Sequence, residues 1–402
     1  MKSTFFIIAS FIFFTSGCGL NITSEPSLLT MDYGQLAEIR ESIHIKSPVY
    51  EAAYQRLCKE AENAINLPVY SVTNKKGNPP SGDKHDYMSQ APYWWPDPSK
   101  PGGLPYIRRD GVRNPESYDS RFDRHRIEMM TDNMMSLTLA WFFTGEERFA
   151  VKASDLIETW FIDPATRVNP NMNYAQSIPG ITEGRGIGII ETRRYIKIID
   201  AVKLLEGSKS WNRRMTKSLR SWFSDYLEWL VNSENGLDEQ AKENNHGTWY
   251  DVQVIYYAGF TGKHKLARNT LQKAVESRVN SQIDLFGKQP HELSRTRSFS
   301  YSAFNLEALI LIGKLGEMAG DGPWGGDPDA AEKIRLACDF LFKYIDRIEE
   351  WPYEQITPVE WGRLVPVLSE ASRLFDAPGY NLYLESIEDK MQSNDRLIFT
   401  NI

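Results

Sequence analysis

Cysteine is scarce in this chain, at 3 of 402 residues. That excludes a disulfide-built scaffold, and with no CxxC present it also excludes the usual Cys-based zinc modules. Histidine is nearly as rare. The six are His44, His85, His125, His246, His264 and His291, and no two share the i, i+4 spacing of a helical zinc site. No apolar run approaches the roughly 20 residues that a membrane-crossing helix needs. An excess of positive charge is also missing. The net charge of −7 argues against a nucleic-acid partner, whose footprint would be basic. GxSxG and Walker-type loops do not occur, and the glycine-rich GRGIG at 184–188 lacks the preceding strand that a nucleotide site would require. Neither a metal nor a cofactor is expected.

Aromatic residues, by contrast, are abundant, with 11 Trp and 19 Tyr. Sugar clefts use such rings as apolar platforms with a polar tip, and large helical cores simply bury them. Both uses are open from composition. An acidic protein that takes a polyanion would need a local basic cleft. Residues 106–126 offer Arg108, Arg109, Arg113, Arg121, Arg124 and Arg126, although Asp110, Glu116, Asp119 and Asp123 lie between them and could pair them off.

The N-terminus has the form of an export signal: Lys2, an apolar stretch of about ten residues from Phe5 to Phe14, then Thr15-Ser16-Gly17-Cys18. The small residues before Cys18 resemble a bacterial lipobox. The organisation expected is a signal peptide over 1–17, a tether over 18–30 and one domain over 31–402. Such a protein would be exported to the periplasm or held at the outer membrane by its lipid, touching a membrane only through that anchor. Cys58 and Cys338 would remain as two thiols.

Past residue 30 the apolar spacing is overwhelmingly helical, with helices expected over 129–144, 149–162, 190–205, 211–231, 249–260, 266–279, 300–318, 330–348 and 358–375. LAWFFTGEERFAVKASDLIETW at 139–160 is echoed by IYYAGFTGKHKLARNTLQKAV at 255–275. Each has an apolar helix end, a Thr-Gly stop, a charged turn and a second amphipathic helix. Repeated helix pairs bury their apolar faces by stacking, as a closed α/α toroid or an open solenoid. The lack of capping repeats favours the ring, in a single all-α domain. Two long irregular stretches, 68–118 with HDYMSQAPYWWPDP and 169–189 with SIPGITEGRGIGI, would lie over one face of it.

Two segments could carry chemistry. ENNHGTWYD at 243–251 sits where a helix begins. Its amides and imidazole serve equally well as helix caps or as a carboxylate site at the positive end of a helix. HELSRTRSFSY at 291–301 would set Arg297 and Tyr301 four apart on one helical face if the helix extends that far back, with Arg295 turned elsewhere.

NNHGTWYD followed by Tyr301 within ELSRTRSFSYSAFNLEAL resembles the alginate lyase superfamily of α/α-toroid fold. The WWPDP loop and lipoprotein-type start resemble its Bacteroidetes members that cut alginate or glucuronan. The resemblance covers most of 80–320. It implies a monomeric polysaccharide lyase acting on an acidic polymer of 1,4-linked uronates by β-elimination, with Asn245, His246 and an arginine neutralising the substrate carboxylate. Tyr301 would be base, acid or both. The family arginine falls on Arg295 by the Glu-Leu-x-Arg match, but a spacing one residue short keeps Arg297 as the alternative. Substrate contacts are expected from Gln90, Tyr93, Trp94, Trp95, Arg185, Asn244, Trp249, Tyr250 and Glu292. Two other functions compete. A hydrolase on the same ring would need facing carboxylates, drawn from Asp132, Glu183 and Glu292. A surface glycan-binding lipoprotein would need no catalytic group.

Overall fold

Helices that are buried on all sides and helices that are apolar on one side alternate along this chain, and that alternation sets the architecture. In the computed structural model, which describes residues 25–387 and 397–398, the order opens with α1 (Tyr33–His44) and α2 (Pro48–Ile65). α3 (Arg124–Thr144), α5 (Tyr195–Leu205), α8 (Asn245–Phe260) and α11 (Ser298–Ala319) are buried around most of their circumference. Each is followed by a partner with a solvent face: α4 (Glu147–Ile157), α6 (Arg213–Asn232), α9 (His264–Ala274) and α12 (Pro328–Phe342). In α6 the buried Met215, Leu219, Trp222, Phe223, Tyr226, Leu227 and Leu230 recur at three- and four-residue steps. Asn212 caps it, accepting from the Arg214 and Met215 amides.

The buried helices touch in sequence, α3 on α5, α5 on α8, α8 on α11, and α11 on α13 (Val365–Leu374). They form the inner wall of an (α/α) toroid, with the amphipathic partners outside. The remaining helices are α7 (Glu234–Gln240), α10 (Pro290–Leu293) and α14 (Asn381–Ser386). The sequence echo is structural. α3–α4 and α8–α9 are both hairpins, and both second helices end in a π-turn, over Glu158–Ile162 and Val275–Asn280.

The two irregular stretches hold four short strands: β1 (Met88–Gln90), β2 (Trp94–Trp95), β3 (Ile107–Arg108) and β4 (Tyr174–Ser177). β1 pairs parallel with β4, which ties one stretch to the other, while β2 and β3 pair antiparallel. Beneath them Lys75 and Asp123, both without exposed side-chain surface, meet at 3.0 Å and fasten the first stretch to the start of α3.

Several expectations change. The helix expected over 190–205 begins as a 3-10 segment, Gly186–Arg194, and turns α-helical only at Tyr195. Four Asn244-capped residues are added to the front of α8. The export signal and Cys18 lie outside the described residues. The tether expected over 18–30 is packed into the domain by its end. Leu28 and Leu29 are buried, and the Leu29 and Thr30 amides donate to Asp200 on α5 at 3.0 and 2.7 Å. Lys314 on α11 reaches the Met31 carbonyl at 3.1 Å, so this segment bridges two inner helices. Most of the aromatic surplus is core: Phe161, Tyr195, Trp222, Phe223, Tyr226 and Tyr257 pack edge-to-face or stacked. Cys58 is half-buried and Cys338 buried, both free.

Candidate active site

The first turn of α8 is built from buried ionic parts. Asn244 is its cap, with Oδ1 accepting from the His246 amide at 3.1 Å. Asn245 donates its backbone N–H and its Nδ2 to the two oxygens of Glu292, at 2.6 and 2.8 Å. A carboxylate there satisfies donors that a helix start leaves open and meets the positive end of its dipole. Burial raises the Glu292 pKa, and the two Asn245 donors, Arg295 and His246 oppose that rise. Glu292 is therefore a positioning group beneath Asn245, 1% exposed, and not the substrate contact expected.

Gly247 is required at the next position. A Cβ there would run into the Lys242 carbonyl and the Arg278 guanidinium. Arg278 comes from the π-turn that ends α9. It donates to the carbonyls of Gln240 and Lys242 at 2.7 and 2.8 Å and pairs with Asp251 at 2.7 Å. Burial pushes the Asp251 carboxyl up to about 6 against the pull of Arg278. This clamp fixes the α7–α8 corner. Across that corner Glu239, fully buried on α7, accepts from His246 Nδ1 at 2.8 Å. That bond sets the orientation of the imidazole ring.

The second half of the site lies at the start of α11. The helix begins at Ser298 and Arg297 is its non-helical cap, so the expected Arg297–Tyr301 helical face does not exist. Arg297 instead points to Glu360, 3.6 Å away. Arg295 covers Tyr301, its guanidinium carbon 4.0 Å from the ring centroid. The loop stretch holds it there, with Asp110 accepting from Arg295 Nε and NH2 at 3.1 and 2.7 Å and from Thr296 Oγ1 at 3.0 Å. Burial works to raise the Asp110 carboxyl, and Arg295, Arg108 and Thr296 outweigh it, holding it well below the usual carboxylate range. Gly111, at φ +72°, permits this close approach, since a Cβ there would meet Thr296 Oγ1 at 2.5 Å.

Tyr301 donates to the Tyr93 hydroxyl at 2.9 Å. Burial, then the neighbouring Tyr93, push its phenol far above the ordinary value, with Arg295 opposing. The unliganded site thus holds a protonated Tyr301.

The other expected contacts divide. Arg185 donates to Gln176 O and Oε1 at 3.1 and 3.0 Å and forms no ion pair among the described residues. Burial and the nearby Arg108 lower its pKa to about 10. Gln176 adopts φ +50° to receive it. Gln90 is buried in β1, its Nε2 without a partner among the described residues. Trp94 and Trp95 are part-buried. Trp95 donates to the Val112 carbonyl at 2.9 Å and carries Arg109 on its ring. Trp249 and Tyr250 are core residues, 2% and 1% exposed, because they fall on the buried side of α8.

Half of the arginine-rich run pairs within itself, Arg108 with Asp110, Arg121 with Asp119 and Arg126 with Asp123, while Arg124 pairs with Glu191 outside it. The carboxylates a hydrolase would need are engaged separately or exposed, Asp132 with Arg194, Glu292 with Asn245, and Glu183 on the loop surface. Sequence reasoning missed Glu239, Arg278, Asp251 and Asp110. The one available signal was the Asp110-Gly111 turn.

Comparison with known proteins agrees with this arrangement. A family profile described as alginate lyase matches residues 71–351. The structure of an alginate lyase from Bacteroides ovatus superposes with a TM-score of 0.87 at 38% identity, covering 93% of this chain and 99% of that one. Alginate lyase A1-III from Sphingomonas species A1 shares the fold at a TM-score of 0.51 and 14% identity, over 81% of this chain and 87% of its own. A variant of that enzyme complexed with tetrasaccharide gives 0.52 at 15%, over 82% and 88%. No curated protein sequence matches. With the profile spanning most of the ring and a 38%-identical relative spanning nearly all of it, this chain belongs to the alginate lyase family and is a polysaccharide lyase.

Proposed function

We propose that the chain cleaves a 1,4-linked polyuronate by β-elimination, with alginate the first candidate and glucuronan the second. One observation carries the assignment of roles: His246 gives its Nδ1 to the buried Glu239, and Tyr301 gives its hydroxyl to Tyr93 beneath Arg295. Burial and Tyr93 keep Tyr301 a phenol, while the His246 ring is oriented through Nδ1 by Glu239, with Nε2 as its remaining nitrogen. A phenol and an imidazole nitrogen on adjacent helices supply the acid and the base that the elimination needs. His246 Nε2 takes the C5 proton, the C–H electrons form the C4–C5 double bond, and the C4–O bond breaks. Tyr301 delivers its proton to the departing oxygen. This anti route suits guluronate. In mannuronate and glucuronate the C5 proton and the leaving oxygen share a face, and Tyr301 would serve both steps once ionised.

The substrate carboxylate opposes the charge that gathers at C5, so nearby donors lower the barrier. Asn245 has a second Nδ2 hydrogen beyond the one given to Glu292. Arg295 retains NH1 beyond its two bonds to Asp110. Arg185, lacking an acid of its own, supports a further carboxylate contact. Alginate is placed first because the 38%-identical relative is itself described as an alginate lyase. The N-terminal pattern supports an exported lipoprotein.

Incubation with poly-mannuronate, poly-guluronate and glucuronan, followed by ultraviolet absorbance of unsaturated product, tests this. Tyr301→Phe should lose about 10³-fold in rate, within the range for general acid–base groups. Near-normal product from that variant would remove Tyr301 from the chemistry. Shortened polymer without a double bond would point to a hydrolase, and polymer bound at unchanged length to a binding protein.

A further inference from the structure

Buried arginines in this protein usually meet an acid, as Arg124 meets Glu191 and Arg278 meets Asp251. Arg193 does not. It lies at the end of the 3-10 segment Gly186–Arg194, part-buried, and donates NH1 to the Ile190 carbonyl at 3.1 Å. Its guanidinium carbon sits 5.0 Å from the Phe304 ring centroid and 5.9 Å from that of Trp249. Among the described residues it forms no ion pair. Its neighbours Arg194 and Arg363 each have one, with Asp132 at 2.9 Å and Glu360 at 2.6 Å. Burial, then Arg194 and Arg363, lower the Arg193 pKa to about 9, with Glu307 opposing. A cation kept in such surroundings without an acid of its own is a candidate for meeting one from outside.

Its place in the ring says which. Phe304 follows Tyr301 by three residues on α11, and Trp249 follows His246 by three on α8. Arg193 therefore packs on two residues that each lie one helical turn along from Tyr301 and His246. Tyr301, Phe304, Glu307 and Leu311 form a part-exposed stripe on an otherwise buried stretch of α11. Arg193 packs against that stripe at Phe304. Stacking on the rings engages the guanidinium face and leaves its N–H edge for a planar, bidentate acceptor. One turn is also the scale of one sugar ring.

We propose that Arg193 is a second carboxylate-binding site, which takes the uronate carboxylate of a sugar neighbouring the one cleaved. This rests on the polyuronate reading and adds a consequence to it: affinity must grow with substrate length as that sugar is added.

The test titrates size-fractionated alginate oligomers, dimer to hexamer, into the Tyr301→Phe chain with and without Arg193→Gln, by calorimetry. Arg193→Gln should weaken binding of the longer oligomers by about tenfold, or 1.4 kcal/mol, with the gap closing at the dimer. Arg193→Lys should recover part of the loss. In turnover, Arg193→Gln on the otherwise native chain should raise KM for the longer oligomers far more than it lowers kcat. Equal affinity at every length would overturn the proposal. So would a loss of one size at every length that tracks a fallen thermal midpoint, since that marks a structural arginine. Length-dependent binding through Arg193 in a wild type that releases no unsaturated product would leave this site standing and sink the lyase roles. Product release with no Arg193 effect would do the reverse.

Discussion

His246 and Tyr301 reach the site from adjacent inner helices, α8 and α11, and are held in opposite ways. The histidine half belongs to the ring. Glu239, Glu292, Asp251 and Arg278 around it are all at most 5% exposed, and every partner comes from α7 to α10 or the π-turn of α9. The tyrosine half is completed from outside the ring. Asp110 and Tyr93, which hold Arg295 and Tyr301, both sit on the irregular stretch before α3. Half of the site is thus preorganised by buried charge, and the other half depends on how a loop settles. Binding and release of a polymer are easier to reconcile with a site of which one wall can be set independently of the core.

That contrast can be broken at several points. The largest effect is expected at the clamp. Arg278→Met leaves Asp251 buried and alone, and losing one partner of a buried pair costs about 3–5 kcal/mol. Chemical denaturation should show the loss directly, and a change below about 1 kcal/mol would mean that the π-turn does not secure the α7–α8 corner. Next comes Glu239→Leu, which removes the acceptor that orients His246. Activity should fall about 10²-fold, at the lower end for general acid–base groups, with the thermal midpoint little changed. Unaltered activity would show that the imidazole is positioned by something else.

On the loop side, Asp110→Asn should cost about tenfold in kcat/KM as Arg295 loosens over Tyr301, and less than about 1 kcal/mol of stability, since the pair is only half-buried. A stability loss matching that of Arg278→Met would erase the distinction between the halves. The smallest effect is in pH dependence, where the two halves differ in sign. Asp251 is raised to about 6, so the folded chain binds its proton more tightly than the unfolded chain does. Its contribution therefore falls as pH rises from about 4 to about 6 and is level above that. Asp110 is depressed, so its contribution is present above the ordinary carboxylate range and is lost as pH falls through its lowered value. Unfolding free energies of wild type, Asp251→Asn and Asp110→Asn across pH 3 to 7 should differ in opposite directions, by on the order of 1 kcal/mol. Parallel curves would refute the assignment.

The two echoing hairpins show how far periodicity reaches. Their sequences announce α3–α4 and α8–α9, because a 3.6-residue apolar rhythm and a Thr-Gly stop are local signals. They do not announce that both second helices end in π-turns, nor that only one of those turns delivers an arginine to the α7–α8 corner. Trp249 and Tyr250 were misjudged for a related reason: α8 is an inner helix buried around most of its circumference, so residues close to His246 in sequence still pack into the core. Glu292 was misjudged because a buried carboxylate beneath a helix start and an exposed one facing a sugar look alike in one dimension.

By itself the sequence determined the all-α ring, the two loop stretches over it and the elements bearing His246 and Tyr301, since apolar spacing and short motifs are properties of neighbouring residues. Only the tertiary structure showed which of Arg295 and Arg297 lies against Tyr301. That choice turned on where α11 begins and on Asp110, which lies 185 residues away in sequence and 2.7 Å away in space. It alone also decided which arginines have acids and which do not. Pairing of charges is a matter of distance in folded space, which a linear sequence of mixed Arg, Asp and Glu does not encode.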